Sequence, residues 1–267
     1  MRVLTIVGLI LLLLIGGAIV AVRRALRRLR EASEAQAKQR AIQARRLAEG
    51  RLHAEAGYVR DRIRDEIERE RTAPEGGDAA RMARLVEIQK VLERTDDAAK
   101  EPFPVSGPCA EAIDAFRAEA GDRELLYSES GDGRWLRAVG DRALLRWAVL
   151  ELFRNTALHA GEWSRIALLA EPVPGAIALS VRDDGAGLDR PGTARLYSAF
   201  TPRAGSPGPG LGMYVVRRIV ERSGGTIEAR SAPGGGLLHR LRLPHPPEGP
   251  YGDATAPPRS RSSSERR

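Results

Sequence analysis

In a chain where charged residues make up 29% of the total, the stretch from Leu4 to Val22 contains none. It is dominated by Leu, Ile, Val, Ala and Gly, and it is about as long as a helix must be to cross the hydrocarbon core of a bilayer. Only Arg2 precedes it, whereas Arg23, Arg24, Arg27, Arg28 and Arg30 follow at once. Basic residues collect on the cytoplasmic side of a spanning helix, which assigns everything after Val22 to the cytoplasm. A cleaved leader has a shorter apolar core and no basic cluster directly behind it. The expectation is a single-pass anchor over residues 1–23 in the inner or cell membrane. No second run of this kind occurs in the sequence. A stimulus is therefore expected to arrive through the membrane, along the following helix, or from another protein.

The formal net charge is +8 and the pI about 10.3, with arginine concentrated after Val22 and again between Arg259 and Arg267. Such clusters attract phosphate in lipid headgroups or in nucleic acid. No aromatic residues interleave with them and no nucleic-acid motif accompanies them, which points to a membrane surface and away from nucleic acid. Cys109 is the only cysteine, so neither an intrachain disulfide nor a cysteine-based metal site can form.

Residues 24–100 favour helix. The segment to about residue 71 is rich in Ala, Arg, Glu and Gln and lacks proline. Its apolar positions Ile42, Leu47, Leu52, Val59, Ile63 and Ile67 form a loose stripe rather than a strict heptad. Thr72 to Asp78 contains Pro, two Gly and Asp and reads as a turn. A second helix then runs to about Asp96, with Met82, Leu85, Ile88 and Leu92 at helical spacing. A lone two-helix hairpin buries its apolar stripes poorly, and a second copy would complete a four-helix bundle. A homodimer is expected, with a monomeric stalk as the other reading.

From residue 101 to 245 the pattern becomes mixed. Pro104 to Ser106 reads as extended, Pro108 to Gly121 as helix, and Glu124–Ser128 and Arg134–Val139 as strands. Asp141 caps a long helix to about Ala160. Ile166–Leu169 and Ala176–Arg182 are strands, Met213–Ser223 a helix, and Thr226–Arg230 and Leu237–Leu243 closing strands. Strands with helices for one face make an α/β fold, a two-layer α/β sandwich. Residues 246–267 are Pro-, Ser- and Arg-rich with little apolar content and are expected to be a disordered basic tail.

Three stretches carry chemistry. In Glu151-Leu-Phe-Arg-Asn155-Thr-Ala-Leu-His159-Ala, Glu151 and Asn155 lie one turn apart on one helix face. A carboxylate can orient or deprotonate a nucleophile, and an amide oxygen suits magnesium, which takes few protein ligands. In Asp183-Asp-Gly185-Ala-Gly187 a strand runs into Asp-x-Gly-x-Gly, where a carboxylate can accept from an exocyclic amine and glycine lets a ligand approach the main chain. Gly208-Pro-Gly210-Leu211-Gly212 opens a helix, and free amides at a helix amino terminus seat phosphate.

In this order the stretches resemble the ATP-binding domain of the GHKL superfamily, the Bergerat-type fold, most closely that of sensor histidine kinases. Glu151 to Ala160 resembles the N box, Asp183 to Gly187 the G1 box, the region of Phe200 the F box, and Gly208 to Gly212 the G2 box. The resemblance implies ATP and Mg²⁺ as cofactors. It implies Asn155 as the metal ligand, Asp183 as partner of the adenine amine, and Gly185 and Gly187 as shapers of the base pocket. His159, Gly208, Gly210, Leu211 and Gly212 would border the nucleotide. Residues 189–207 would form a lid, and Arg203 in it would neutralise a phosphate. Glu151 stands where ATPases of the superfamily carry a water-activating base and many kinases an Asn. Leu158 stands where a phosphate-contacting Lys is common, and Leu237 where a small hydroxyl residue is usual.

The resemblance also implies a phosphoacceptor histidine in the first hairpin helix, and His53 is the histidine there. Its context, His53-Ala-Glu55-Ala-Gly57, lacks the acidic residue that directly follows in the family motif, and the later proline. The leading expectation is a membrane-anchored sensor histidine kinase that phosphorylates His53 and signals to a response regulator. The alternatives are a non-catalytic ATP-binding regulator and a GHKL-type ATPase using Glu151.

Overall fold

The structure is a computed structural model. It describes residues 50–73 and 78–246, except 121–123, 131–135, 162–164, 203–205, 207 and 233–234, together with scattered positions from 27 to 47. The apolar run at Leu4–Val22, the lid residue Arg203 and the basic tail past residue 246 lie outside the described residues. Among the described residues no helix is long and apolar enough to cross a membrane.

Two compact units divide the chain at Asp61 and Arg62. In the first, every described position from 27 to 61 is helical, and His53 is exposed on that helix. The second unit opens with helix α1, residues 62–72, followed by α2, Ala79–Asp96. Asp78 starts α2 as its side chain accepts from the amides of Ala80 and Arg81, each at 3.0 Å. Glu70 on α1 accepts the Asp78 amide at 3.0 Å. Arg81 on α2 pairs with Glu66 and, through Nε at 3.1 Å, with Glu70. These bonds fold α2 back on α1. Ile63, Leu85, Ile88 and Leu92 are buried along the hairpin.

The remaining elements are β1 (Glu101–Pro104), α3 (Ser106–Ala120), β2 (Leu125–Glu129), β3 (Arg137–Gly140), α4 (Arg142–His159), β4 (Ile166–Val173), β5 (Ala176–Asp183), α5 (Arg190–Arg195), α6 (Gly212–Arg222), β6 (Thr226–Ser231) and β7 (Leu237–Pro244). Five strands form one sheet in the order β2-β4-β5-β7-β6, with β2 parallel to β4 and the other pairs antiparallel. Strands β1 and β3 pair separately. Burial alternates along β4 and β7, so the sheet turns one face inward. Helix α4 packs against α3 and α6, and Phe116 meets Phe153 with ring centroids 5.5 Å apart. Helix α4 is buried from Leu144 through Phe153 apart from Arg146, and α2, which packs on α6, reaches it through side chains, with Trp147 Nε1 donating to Glu87. The result is a two-layer α/β sandwich with a helical hairpin before it.

Two local expectations change. The extended piece read at Pro104–Ser106 is Glu101–Pro104, and Ser106 already opens α3. The prolines are tolerated because β1 belongs to a two-stranded ribbon with free edges, and Pro108 sits in the first turn of α3, where no amide is needed. Within the segment read as a lid, residues 190–195 are helical. Asp189 caps that helix by accepting the Gly192 amide at 2.8 Å, with Pro191 in the first turn.

Candidate functional site

Helix α4 carries Glu151, Asn155 and His159 on successive turns, because Asp141 fixes its start by accepting the amides of Ala143 and Leu144 at 2.8 and 3.1 Å. Asn155 and His159 line two adjoining spaces. The smaller is bordered by Thr156, Ala160, Asp183, Gly187 and Leu237. The larger, a cleft of about 470 Å³, is bordered by Glu151, the turn from Gly208 to Gly212, and residues of α2.

At the small end the Asp183 carboxylate is buried, and its Oδ1 accepts from the amides of Gly185 at 2.9 Å and Leu237 at 3.1 Å. The Gly236 amide donates to the Gly185 carbonyl at 2.5 Å. Two loops far apart in sequence are thereby stitched into one wall. Gly185 serves packing here: a Cβ on it would stand 2.6 Å from the Ala160 Cα. The close approach that the sequence reading gives to a ligand is at this position an approach of the chain to α4. Thr156 Oγ1 faces this end buried and without a hydrogen-bond partner among the described residues.

At the wide end, α6 begins with no side-chain cap at Leu211, and its first intrahelical bond is from the Val215 amide to the Leu211 carbonyl at 3.0 Å. The amides of Gly212 and Met213 precede that bond and are the unspent donors of a helix start. Gly210 has φ +71°, and a Cβ there would lie 2.3 Å from the Pro202 nitrogen. A Cβ on Gly212 would collide with the Glu151 carboxylate at 2.0 Å. Gly208 has open space around it. The Ser206 hydroxyl lies 3.2 Å from His159 Nε2 and ties the Gly-rich segment to α4. Phe200 holds φ +55°, with the Arg62 guanidinium of α1 stacked 4.1 Å from its ring centre.

The charge around Glu151 was not legible in the motifs. Glu151 is buried and forms an ion pair with Arg84 of α2. Arg84 also reaches Glu87 at 2.7 Å and lies 5.4 Å from the centre of the Trp147 ring, while Trp147 Nε1 donates to Glu87 at 2.8 Å. Burial works to lower the Arg84 pKa, but Glu151 and then Glu87 outweigh it and hold it above its ordinary value. Burial likewise works to raise Glu87, and Arg84, Trp147 and Arg154 together bring it below the usual carboxylate range. Arg154 holds Glu119 through two bonds of 2.8 and 2.6 Å and stands 3.8 Å from Glu151.

The profile of the family described as "Histidine kinase-, DNA gyrase B-, and HSP90-like ATPase" matches residues 140–247. That span contains α4, the Asp183 turn and the glycine turn before α6. Residues 140–247 are a histidine-kinase-type ATP-binding domain. Among curated proteins, a sensor histidine kinase ZraS of Klebsiella oxytoca is 30% identical over 171 residues, 62% of this chain and 36% of that protein. A C4-dicarboxylate transport sensor protein DctS of Rhodobacter capsulatus is 28% identical over 169 residues, 60% of this chain and 26% of that protein. The chain thus spans well under half the length of these relatives. The solved structure of a mycobacterial sensor histidine kinase MprB covers 55% of this chain and all of its own, at 24% identity and TM-score 0.50, a likeness of fold.

The site residues read from sequence divide accordingly. Glu151, Asn155, His159, Asp183, Gly187, Gly208, Gly210, Leu211 and Gly212 surround the two adjoining spaces of the ATP-binding domain. Gly185 braces it from behind. Arg203 lies outside the described residues. His53 lies in the other unit, exposed on its helix.

Proposed function

We propose that this protein is a membrane-anchored sensor histidine kinase that binds Mg·ATP, phosphorylates His53 in a homodimer and passes the phosphoryl group to an aspartate of a response regulator. The observation that carries the reading is the convergence of Asn155, the Asp183 carboxylate and the first amides of α6 on two adjoining spaces that share Asn155 and His159.

The residues suit a magnesium nucleotide. Both main-chain bonds to Asp183 end on Oδ1, which leaves Oδ2 for the adenine amine, and the orphaned Thr156 hydroxyl stands beside it. The first amides of α6 would take phosphate oxygens. Among the described residues no group of three or more His, Cys, Asp or Glu could hold a metal by itself. Asn155, the nucleotide's own phosphates and water would therefore complete the coordination, as magnesium prefers. Bound there, the ion would offset the charge that builds on the transferring phosphoryl group.

The arginine-flanked run at Leu4–Val22 supports a single-pass anchor in the cell membrane, with the ATP-binding domain in the cytoplasm. A second reading, a non-catalytic ATP-binding regulator, is favoured by one feature: Ala54 rather than an acidic residue follows His53. An ATPase using Glu151 as base is disfavoured by the ion pair with Arg84, which occupies that carboxylate. The deciding experiment incubates the chain with γ-labelled ATP. Acid-labile label is expected on the wild type and absent from His53→Gln and Asn155→Ala. Equal label on wild type and His53→Gln removes His53 from the reaction. Nucleotide binding with no phosphoprotein at all selects the regulator.

A further inference from the structure

The carboxylate of Glu151 sits in an awkward place for an anion site. It presses against Gly212, where the unspent amides of α6 begin, and it borders the wide cleft. An anion seated on those amides lies beside a buried negative charge. Around it, Glu87, Glu119 and Glu151 face Arg84 and Arg154, so the cluster is already one negative charge in excess. Arg154 is committed to Glu119 by two short bonds and reaches Glu151 only at 3.8 Å. The direct neutralisation of Glu151 comes from Arg84. That residue belongs neither to α4 nor to the span matched by the family, but to α2 of the hairpin.

We propose that Arg84 is a positioning residue for nucleotide binding: its ion pair with Glu151 removes the charge that would repel the phosphates, so the affinity of the ATP-binding domain depends on α2 lying against α4. The inference rests on the reading of the wide cleft as the phosphate end of an ATP site. When α2 lies in place, the Arg84 guanidinium stands directly on Glu151, with Glu87 of the same helix on its other side. When α2 leaves, Glu151 loses its direct partner and keeps only Arg154, shared with Glu119, at 3.8 Å beside the phosphate seat. Coupling of this kind is reciprocal, so Mg·ATP in turn holds α2 in place. The hairpin thereby gains a route to the nucleotide that needs no movement inside the sandwich. Three further contacts carry α2 along with its arginine: Trp147 to Glu87 at 2.8 Å, Arg94 to Asp141 at 3.0 Å, and Arg222 to the Asp96 carbonyl at 2.7 Å.

The test is a double-mutant cycle on the full chain in detergent or nanodiscs, titrated calorimetrically with the magnesium complex of a non-hydrolysable ATP analogue. Arg84→Met is expected to weaken binding about tenfold. Glu151→Gln is expected to bind at least as tightly as wild type, and the double variant to return to within about twofold of Glu151→Gln. Arg84→Lys, which keeps the charge, should stay near wild type. The double variant also guards against misfolding, because it leaves no buried carboxylate at position 151 unpaired. Limited proteolysis between α1 and α2 gives a readout apart from affinity: the analogue should slow cleavage in wild type and fail to do so in Arg84→Met. Unchanged affinity in Arg84→Met overturns the inference, as does a double variant as weak as Arg84→Met, because Arg84 would then act on the ligand or the fold directly. A wild type that binds no nucleotide overturns the ATP reading itself, and the inference with it.

Discussion

At the Asp183 end of the site the walls are held by main-chain amides that donate to one buried carboxylate, whereas at the Gly212 end they are held by ion pairs reaching in from a helix outside the ATP-binding domain. The first kind of wall is directional, buried and indifferent to salt. The second is long-ranged, sensitive to charge and only as permanent as the docking of α2. A nucleotide bound across both would meet hydrogen-bonded walls around a space of only about 10 Å³ at its base end and a charge-held wall at its phosphate end. Specificity and regulation can then reside at opposite ends of one ligand.

The largest effect should come from breaking the hydrogen-bonded end. Asp183→Ala leaves the amides of Gly185 and Leu237 without their acceptor, costs about 3 kcal/mol of stability, and abolishes Mg·ATP binding. Thermal unfolding and calorimetry read both, and a variant that melts and binds like wild type would erase the contrast. The same end should carry a pH weakness. His239 on β7 is fully buried and accepts or donates to the Tyr197 hydroxyl at 2.9 Å, and burial pushes its pKa down to about 4. The unfolded chain binds that proton near the ordinary 6.5, more readily than the folded one. Stability is therefore complete above pH 6.5 and falls as the pH drops toward 4, by about 3 kcal/mol in total. Melting temperatures across that window should show the decline, and His239→Phe should flatten it.

The charge-held end should respond more mildly and more reversibly. Gly212→Val drives a side chain into the Glu151 carboxylate and should cost about 1–3 kcal/mol. Glu151→Ala in the same chain should recover most of that loss, and a denaturant titration of the single and double variants decides it. The smallest expected effect is a gain. Leu158 is half-exposed on the rim of the wide cleft. Leu158→Lys should tighten Mg·ATP binding a few-fold, within the ~0–1 kcal/mol of an exposed charge, and the gain should vanish in high salt. A gain that survives high salt would mean the rim is more enclosed than this contrast allows.

The asymmetry also explains what could be read before the fold was known. Asp141 as a cap, the strands from Ile166 and Ala176, and the glycine turn before α6 all follow from local rules of capping, alternation and chain flexibility. They appear within a residue or a few of their expected places. Asn155 and Asp183 stand out in the sequence because each sits in a short motif, and in the fold both border one space. Arg84 does not. On a helix whose turns are full of Arg and Glu it looks like one more solvated charge, and only the reach of α2 across to α4 gives it Glu151 as a partner. Helix α5 was hidden by its own beginning, since Asp189-Arg-Pro-Gly reads as a turn until the Asp189 side chain is seen to cap it. Tyr197 and His239 lie 42 residues apart with no shared motif, so nothing local announces their contact.

The bond from the Leu237 amide to Asp183 spans 54 residues and joins β5 to the last strand of the sheet. Long loops close late, because chain entropy must be spent before the contact gives anything back. During synthesis, a ribosome-bound chain that already displays α4 and the Asp183 turn still lacks the purine seat proposed here. That wall cannot close before β7 is made, so a nascent chain ending short of Leu237 offers Asp183 only one of its two amide donors.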